Sequence, residues 1–149
     1  VRYKKVLVPL DGSKRAEKIL PHVEELAHRY EATVILLQVV EYQTAVSPEG
    51  AYMPMTQTQI DELKQEAESY LTGLANSLKQ KSIQCTARVV YGPVVESITN
   101  SAERENVDLI AMASHGRSGL ARVFYGSIAA GILQNVDRPL LLIRSRSDD

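Results

Sequence analysis

Apolar runs of strand length alternate along this chain with segments whose apolar positions recur every three or four residues. Lys5-Val-Leu-Val-Pro9 is a short apolar run that ends in Asp11-Gly12-Ser13, a turn signal that also offers a helix N-cap. Ala16, Ile19, Leu20, Val23, Leu26 and Ala27 come next at helical spacing. Pro21 falls inside that pattern, where it is expected to cost about 3 kcal/mol or to bend the helix. The run Thr-Val-Ile-Leu-Leu-Gln-Val-Val at 33–40 is β-branched, apolar and of strand length. Residues 41–56 have no clear period and contain Ser47-Pro48-Glu49-Gly50 and Pro54, which predicts a long loop. Ile60, Leu63, Ala67, Tyr70, Leu71, Leu74, Ala75 and Leu78 form a helical stripe, with Thr58 as its expected start.

Ile83, Cys85, Ala87 and Val89 alternate with polar residues, the pattern of a strand near a sheet edge. Gly92-Pro93 ends it and opens a helix through Val95, Ile98 and Ala102. A buried strand is expected at 107–112, then a Gly/Ser-rich loop and a short helix from Ser127 to Leu133. Arg138-Pro139 breaks that helix, and Leu140–Ile143 is a last, fully apolar strand. The order β-α-β-α-β-α-β-α-β implies an α/β fold: a doubly wound, five-stranded parallel sheet of order 3-2-1-4-5, Rossmann-like, with helices on both faces. The 149 residues suit one domain with a real core, and neither an internal repeat nor a linker divides them.

In such sheets a ligand binds beyond the carboxyl ends of the strands, where the winding reverses. Here that place lies between the first and fourth strands. The two most unusual loops of the chain leave those two strands: Asp11-Gly12-Ser13 and residues 113–127. Gly116, Gly119 and Gly126 lie close together in the second loop, and a Gly-Ser pair stands at the helix entrance. Free backbone N–H groups and a helix N-terminus suit an anion, so a phosphate-bearing ligand is expected. Asp11 has two readings, a hydrogen-bond acceptor for sugar hydroxyls or an Asx-turn and cap residue. Because Ser13 can supply the cap, the ligand role is favoured.

His115 is the most reactive-looking residue, but its neighbour Ser114 rarely points at it and no oriented acid partner is identifiable. It is expected to anchor the loop or to face solvent, and no catalytic residue is assigned. His22 and His28 are expected at the surface, and no metal site is assigned. Arg117 and Arg122 are equally explained by phosphate contacts and by a solvated loop face.

Composition narrows the function further. Seventeen basic against eighteen acidic residues give no electrostatic footprint for nucleic acid or for a membrane surface. One cysteine, Cys85, excludes a disulfide framework within the chain and reads as a buried small hydrophobe. Val1-Arg-Tyr-Lys-Lys5 leads straight into a strand-length run and no segment approaches membrane-spanning length, so a cytoplasmic protein is expected. There is no G-x-x-x-x-G-K-[ST] and no G-x-G-x-x-G after the first strand. A phosphoreceiver domain would carry an Asp after strand three, where Tyr91-Gly92 stand.

One constellation is more specific. Ala113-Ser-His-Gly116, nine residues, then Gly126-Ser127 has the spacing of G-x-x-G-x9-G-[ST], the ATP-binding signature of the universal stress proteins. With Val-Leu-Val-Pro-Leu-Asp-Gly-Ser13, Leu-Leu-Gln-Val-Val40 and Arg-Pro-Leu-Leu-Leu-Ile143, the chain resembles a single-domain, nucleotide-binding member of that family over residues 4–144. The resemblance implies that Pro9, Leu10 and Asp11 border the adenosine, with Asp11 on the ribose. The backbone of Val39 would read the adenine edge. Met112 and Ala113 would line base and ribose, and Gly116, Gly126, Ser127 and Ile128 would hold the phosphates. It implies ATP as a regulatory ligand, with Mg²⁺ as a candidate shield for the phosphates and at most slow hydrolysis. It also implies a homodimer through Leu140–Ile143. The alternative is a dimeric interaction module that binds no nucleotide in cells. In one respect the chain departs from the signature: its first glycine is Ala113, which keeps the loop's path unless positive φ is required there.

Overall fold

The computed structural model describes residues 2–41, 44–114 and 126–145. The elements are β1 (Lys5–Leu10), a 3-10 turn (Ala16–Ile19), α1 (Leu20–Tyr30), β2 (Thr33–Val40), β3 (Thr44–Val46) and β4 (Tyr52–Pro54). They continue with α2 (Gln57–Gln80), β5 (Cys85–Tyr91), α3 (Val94–Arg104), β6 (Leu109–Ala113), α4 (Gly126–Asn135) and β7 (Leu140–Ile143). Five strands make a parallel sheet in the order β5-β2-β1-β6-β7. Counting only those five in chain order, this is 3-2-1-4-5, as the alternation of apolar runs and helical stripes predicts. β5, the strand with alternating polarity, is an edge strand.

Alternate residues of each strand point to opposite faces, which divides the core in two. Val6 and Val8 of β1 and Val34 and Leu36 of β2 pack with Ile19, Val23 and Ala27, and with Leu71, Ala75 and Leu78 of α2. Leu7, Ile35, Leu37, Ile110 and Met112 pack on the other face against Ile98 and Ala102 of α3 and Ala129 and Ile132 of α4. At the amino end of the sheet, Asp108 Oδ2 accepts from the backbone N–H groups of Lys4 and Lys5 at 2.8 and 2.9 Å. Those bonds tie the start of β6 to the start of β1.

Several local expectations are corrected. Pro21 neither bends nor weakens a helix. The α-helix begins at Leu20, so Pro21 stands in its first turn, where a missing N–H leaves no bond unmade. Ala16 and Ile19 are buried from a 3-10 turn, whose period of three serves that spacing as well as 3.6 does. The long helix starts at Gln57, not Thr58: Thr56 and Gln59 form a capping box, each side chain bonding the other's backbone N–H. The expected loop at 41–56 contains the antiparallel hairpin β3–β4, which pairs Thr44 with Pro54 and Val46 with Tyr52. Residues 52–54 are exposed throughout, so no one-sided burial imposed an alternating pattern on them.

Cys85 is buried at the start of β5. Burial pushes its thiol up to about 11, against the opposing positive charge of Lys79. The thiolate is the reactive form, so at pH 8 a disulfide reagent should modify the native protein about a hundredfold more slowly than the unfolded chain. Rapid labelling of native protein at one thiol per chain would place Cys85 in an open environment instead.

Candidate functional site

The sheet opens at its carboxyl end between β1 and β6. The two strands are in register only at Val6–Leu109 and Leu7–Ile110. Beyond that, β1 stays paired with β2 up to Leu10, and β6 stays paired with β7 up to Ala113. Pro9, which has no N–H to donate, stands just past the last β1–β6 rung. The crevice is therefore a property of the ladder, placed at the switch point where the chain turns to opposite faces.

On the β1 side the crevice is bordered by the Asp11 turn. Asp11 Oδ1 accepts from the Ser13 N–H at 2.9 Å and from the Ser13 hydroxyl at 2.6 Å, while Ser13 Oγ accepts from the Ala16 N–H at 3.2 Å. Gly12 between them has φ of 87°, a conformation that only glycine adopts without strain. The two sequence readings of Asp11 are thus joined. It makes the Asx turn, Ser13 Oγ accepts from the N–H of Ala16 at the start of the 3-10 turn, and the Asx turn holds the carboxylate at the mouth of β1.

On the β6 side, Met112 and Ala113 are buried. Ala113 belongs to β6 and is not among the described residues with positive φ, so an alanine meets no backbone strain where the signature has glycine. Ser114 is held from the β7 side: its N–H donates to the Ile143 carbonyl at 2.7 Å, and its Oγ accepts from the Ser145 N–H at 3.4 Å. Ser114 thus fastens the end of β6 to β7. His115, Gly116, Arg117, Gly119 and Arg122 lie outside the described residues.

α4 begins at Gly126, with φ of 66°, and continues with the exposed Ser127 and the half-buried Ile128. The helix sequence Gly-Ser-Ile-Ala-Ala-Gly-Ile-Leu-Gln-Asn carries no charge, so no acidic side chain competes for its positive end.

The expected site residues divide between the two faces. Val39 and Met112 pack on the α3/α4 side, and Pro9 shares that face with Leu7. Leu10 packs on the α1/α2 side. A separate cavity of about 610 Å³ is a surface groove along α3, with Glu96 and Glu103 on its wall, the wrong sign for a phosphate. Among the described residues no group of three His, Cys, Asp or Glu is placed to hold a metal, and no helix is long and apolar enough to cross a membrane.

Sequence reasoning misses one feature of this end of the sheet. The Tyr70 hydroxyl donates to Glu17 Oε2 at 2.6 Å, tying α2 to the 3-10 turn that comes after Asp11. A tyrosine in an otherwise aliphatic stripe is the available signal, because a buried phenol needs a partner for its O–H.

The sequence model of the universal stress protein family matches residues 2–144. The chain belongs to that family. Universal stress protein MJ0531 of Methanocaldococcus jannaschii is 26% identical over 144 residues, covering 95% of this chain and 82% of that protein. The solved structure of the hypothetical protein MJ0577 superposes with a TM-score of 0.81 at 27% identity, over 99% of each chain. A universal stress protein solved in complex with cAMP superposes with a TM-score of 0.70 at 18% identity, over 97% of this chain and 99% of that one. At that identity the likeness is one of fold. The universal stress protein fold thus accounts for the doubly wound sheet, with the β1–β6 crevice at its switch point.

Proposed function

We propose that this universal stress protein binds ATP in the crevice between β1 and β6 as a regulatory ligand of a cytoplasmic stress response. The observation that carries the reading is the parting of β1 and β6 between a fixed carboxylate, Asp11, and the uncharged N-terminus of α4. Asp11 takes the ribose hydroxyls. Pro9, Val39 and Met112 border the base, Val39 through its backbone, with Leu10 contributing main chain and Ala113 lining the ribose. Gly116, Gly126, Ser127 and Ile128 receive the phosphates through main-chain N–H groups, where the helix dipole favours negative charge. A family relative in complex with cAMP supports an adenosine nucleotide as the ligand class. Mg²⁺ arrives on the nucleotide, shielding its phosphates. With no general base assigned and Ser114 engaged in strand closure, hydrolysis is slow at most.

Among the described residues β7 pairs on one side only and is the terminal strand of the sheet, with Leu140, Leu141, Leu142 and Ile143 all half-buried. An apolar edge of that kind invites a partner, and a second copy of β7 would cover it in a homodimer.

The experiment is direct. The chain has seven tyrosines and no tryptophan, so co-purified nucleotide stands out at 260 nm. Denaturing the purified protein should release an adenine nucleotide that mass spectrometry identifies, and titration of stripped protein with Mg-ATP should give heat. Absence of both would remove ATP binding and leave the reading of a dimeric interaction module.

A further inference from the structure

We infer that Tyr70 of α2 is a positioning residue for ribose recognition, acting through Glu17 on the turn that carries Asp11; this rests on the nucleotide reading above. The route is continuous. The Tyr70 hydroxyl donates to Glu17 Oε2 at 2.6 Å across 53 residues of sequence. The Glu17 N–H donates to the Ser13 carbonyl at 3.4 Å, and the neighbouring Ala16 N–H donates to Ser13 Oγ at 3.2 Å. Ser13 in turn gives both its N–H and its hydroxyl to Asp11 Oδ1. Each link is short in sequence except the first, which joins the turn to a helix of twenty-four residues anchored in the core by Ala67, Leu71, Ala75 and Leu78.

Ala16 and Ile19 seat the turn in the core, and the ion pair at Glu17 adds little to that. Lys14 reaches Glu17 Oε1 at 3.6 Å, but its side chain is 92% exposed, so solvent screens that pair. Glu17's side chain is only 16% exposed, and a short bond between a hydroxyl and a carboxylate there is among the stronger hydrogen bonds available. The phenol stays protonated. Burial first, then the bond to Glu17 and the negative charges of Glu17 and Asp11, raise it above its ordinary value of 10.0. The donor is thus present at every pH where the protein is handled.

A device that only stabilised the fold would affect all nucleotides alike. One that aims Asp11 at ribose hydroxyls should matter only when those hydroxyls exist. Tyr70→Phe removes the O–H and keeps the ring. It should weaken ATP binding about tenfold, the scale of a lost hydrogen bond to a charged group. It should change the affinity for 2′,3′-dideoxy-ATP less than twofold. Glu17→Ala should reproduce that pattern without touching α2, which serves if Tyr70→Phe folds poorly. Glu17→Gln, whose amide oxygen still accepts but carries no charge, should lose less ATP affinity than Glu17→Ala. Calorimetric titration of stripped protein with both nucleotides reads all three variants. Equal losses for ATP and its dideoxy analogue, or no loss for either, would overturn the inference while ATP binding stands. Wild-type protein that takes up no ATP would instead overturn the nucleotide reading and this inference with it.

Discussion

Gly126→Val should weaken ATP binding by roughly five- to thirtyfold and leave the protein's elution volume unchanged. Gly126 opens α4 with φ of 66°, in the left-handed region. That region costs a residue with a Cβ about 1–2 kcal/mol, and a β-branched side chain is the least suited to it. Valine therefore either strains the turn or swings the first N–H groups of α4 away from the phosphates. The energy converts to the stated factor in affinity. Gly126→Asn is the control, because asparagine tolerates the left-handed region, and it should keep most of the affinity. Calorimetric titration with Mg-ATP distinguishes them. A valine variant that binds like wild type would show that the phosphates lie elsewhere.

The second large effect is on stability. Gly131 lies in the middle of α4, where a Cβ would meet Val95 Cγ2 of α3 at 2.7 Å and Cγ1 at 3.2 Å. The two helices approach this closely because one of them has no side chain at the contact. Gly131→Ala would gain about 1 kcal/mol of helix propensity and lose about 1–3 kcal/mol to overpacking, so the net runs from near balance to a loss of about 2 kcal/mol. Gly131→Leu is not balanced. Its first atom already overlaps a stiff, β-branched neighbour, and three more must be accommodated. The expected loss is about 3 kcal/mol, which for a chain of this size lowers the melting temperature by roughly 6–12 °C. Val95→Ala removes the opposing methyls and should restore about 1–2 kcal/mol in the double variant, although alone it leaves a gap. The variant melting like wild type would mean that α4 can shift outward freely. In that case α4 could not be a rigid support for a phosphate site.

The failures of sequence reading have particular causes. Periodicity misplaces Pro21 because a 3-10 turn and an α-helix both bury residues at i and i+3. The β3–β4 hairpin escapes the pattern, since β4 is exposed throughout and an exposed strand needs no alternation. Tyr70 reads as one more apolar position in the α2 stripe. Its partner Glu17 lies 53 residues away, beyond any local rule.

Strand order, the two helical layers and the place of the crevice are legible along the chain. Each arises from local periodicity combined with the fixed hand of parallel crossovers. The spacing of Ala113, Gly116, Gly126 and Ser127 carried the family resemblance as well. Only the tertiary structure decided that Ala113 needs no glycine conformation, that Ser114 is fastened to β7, and that Asp11 is held by a chain of bonds reaching α2. The physical reason is range. Burial patterns repeat within a few residues and can be read along the chain. A hydrogen bond between distant side chains exists only once the core has brought their helices together.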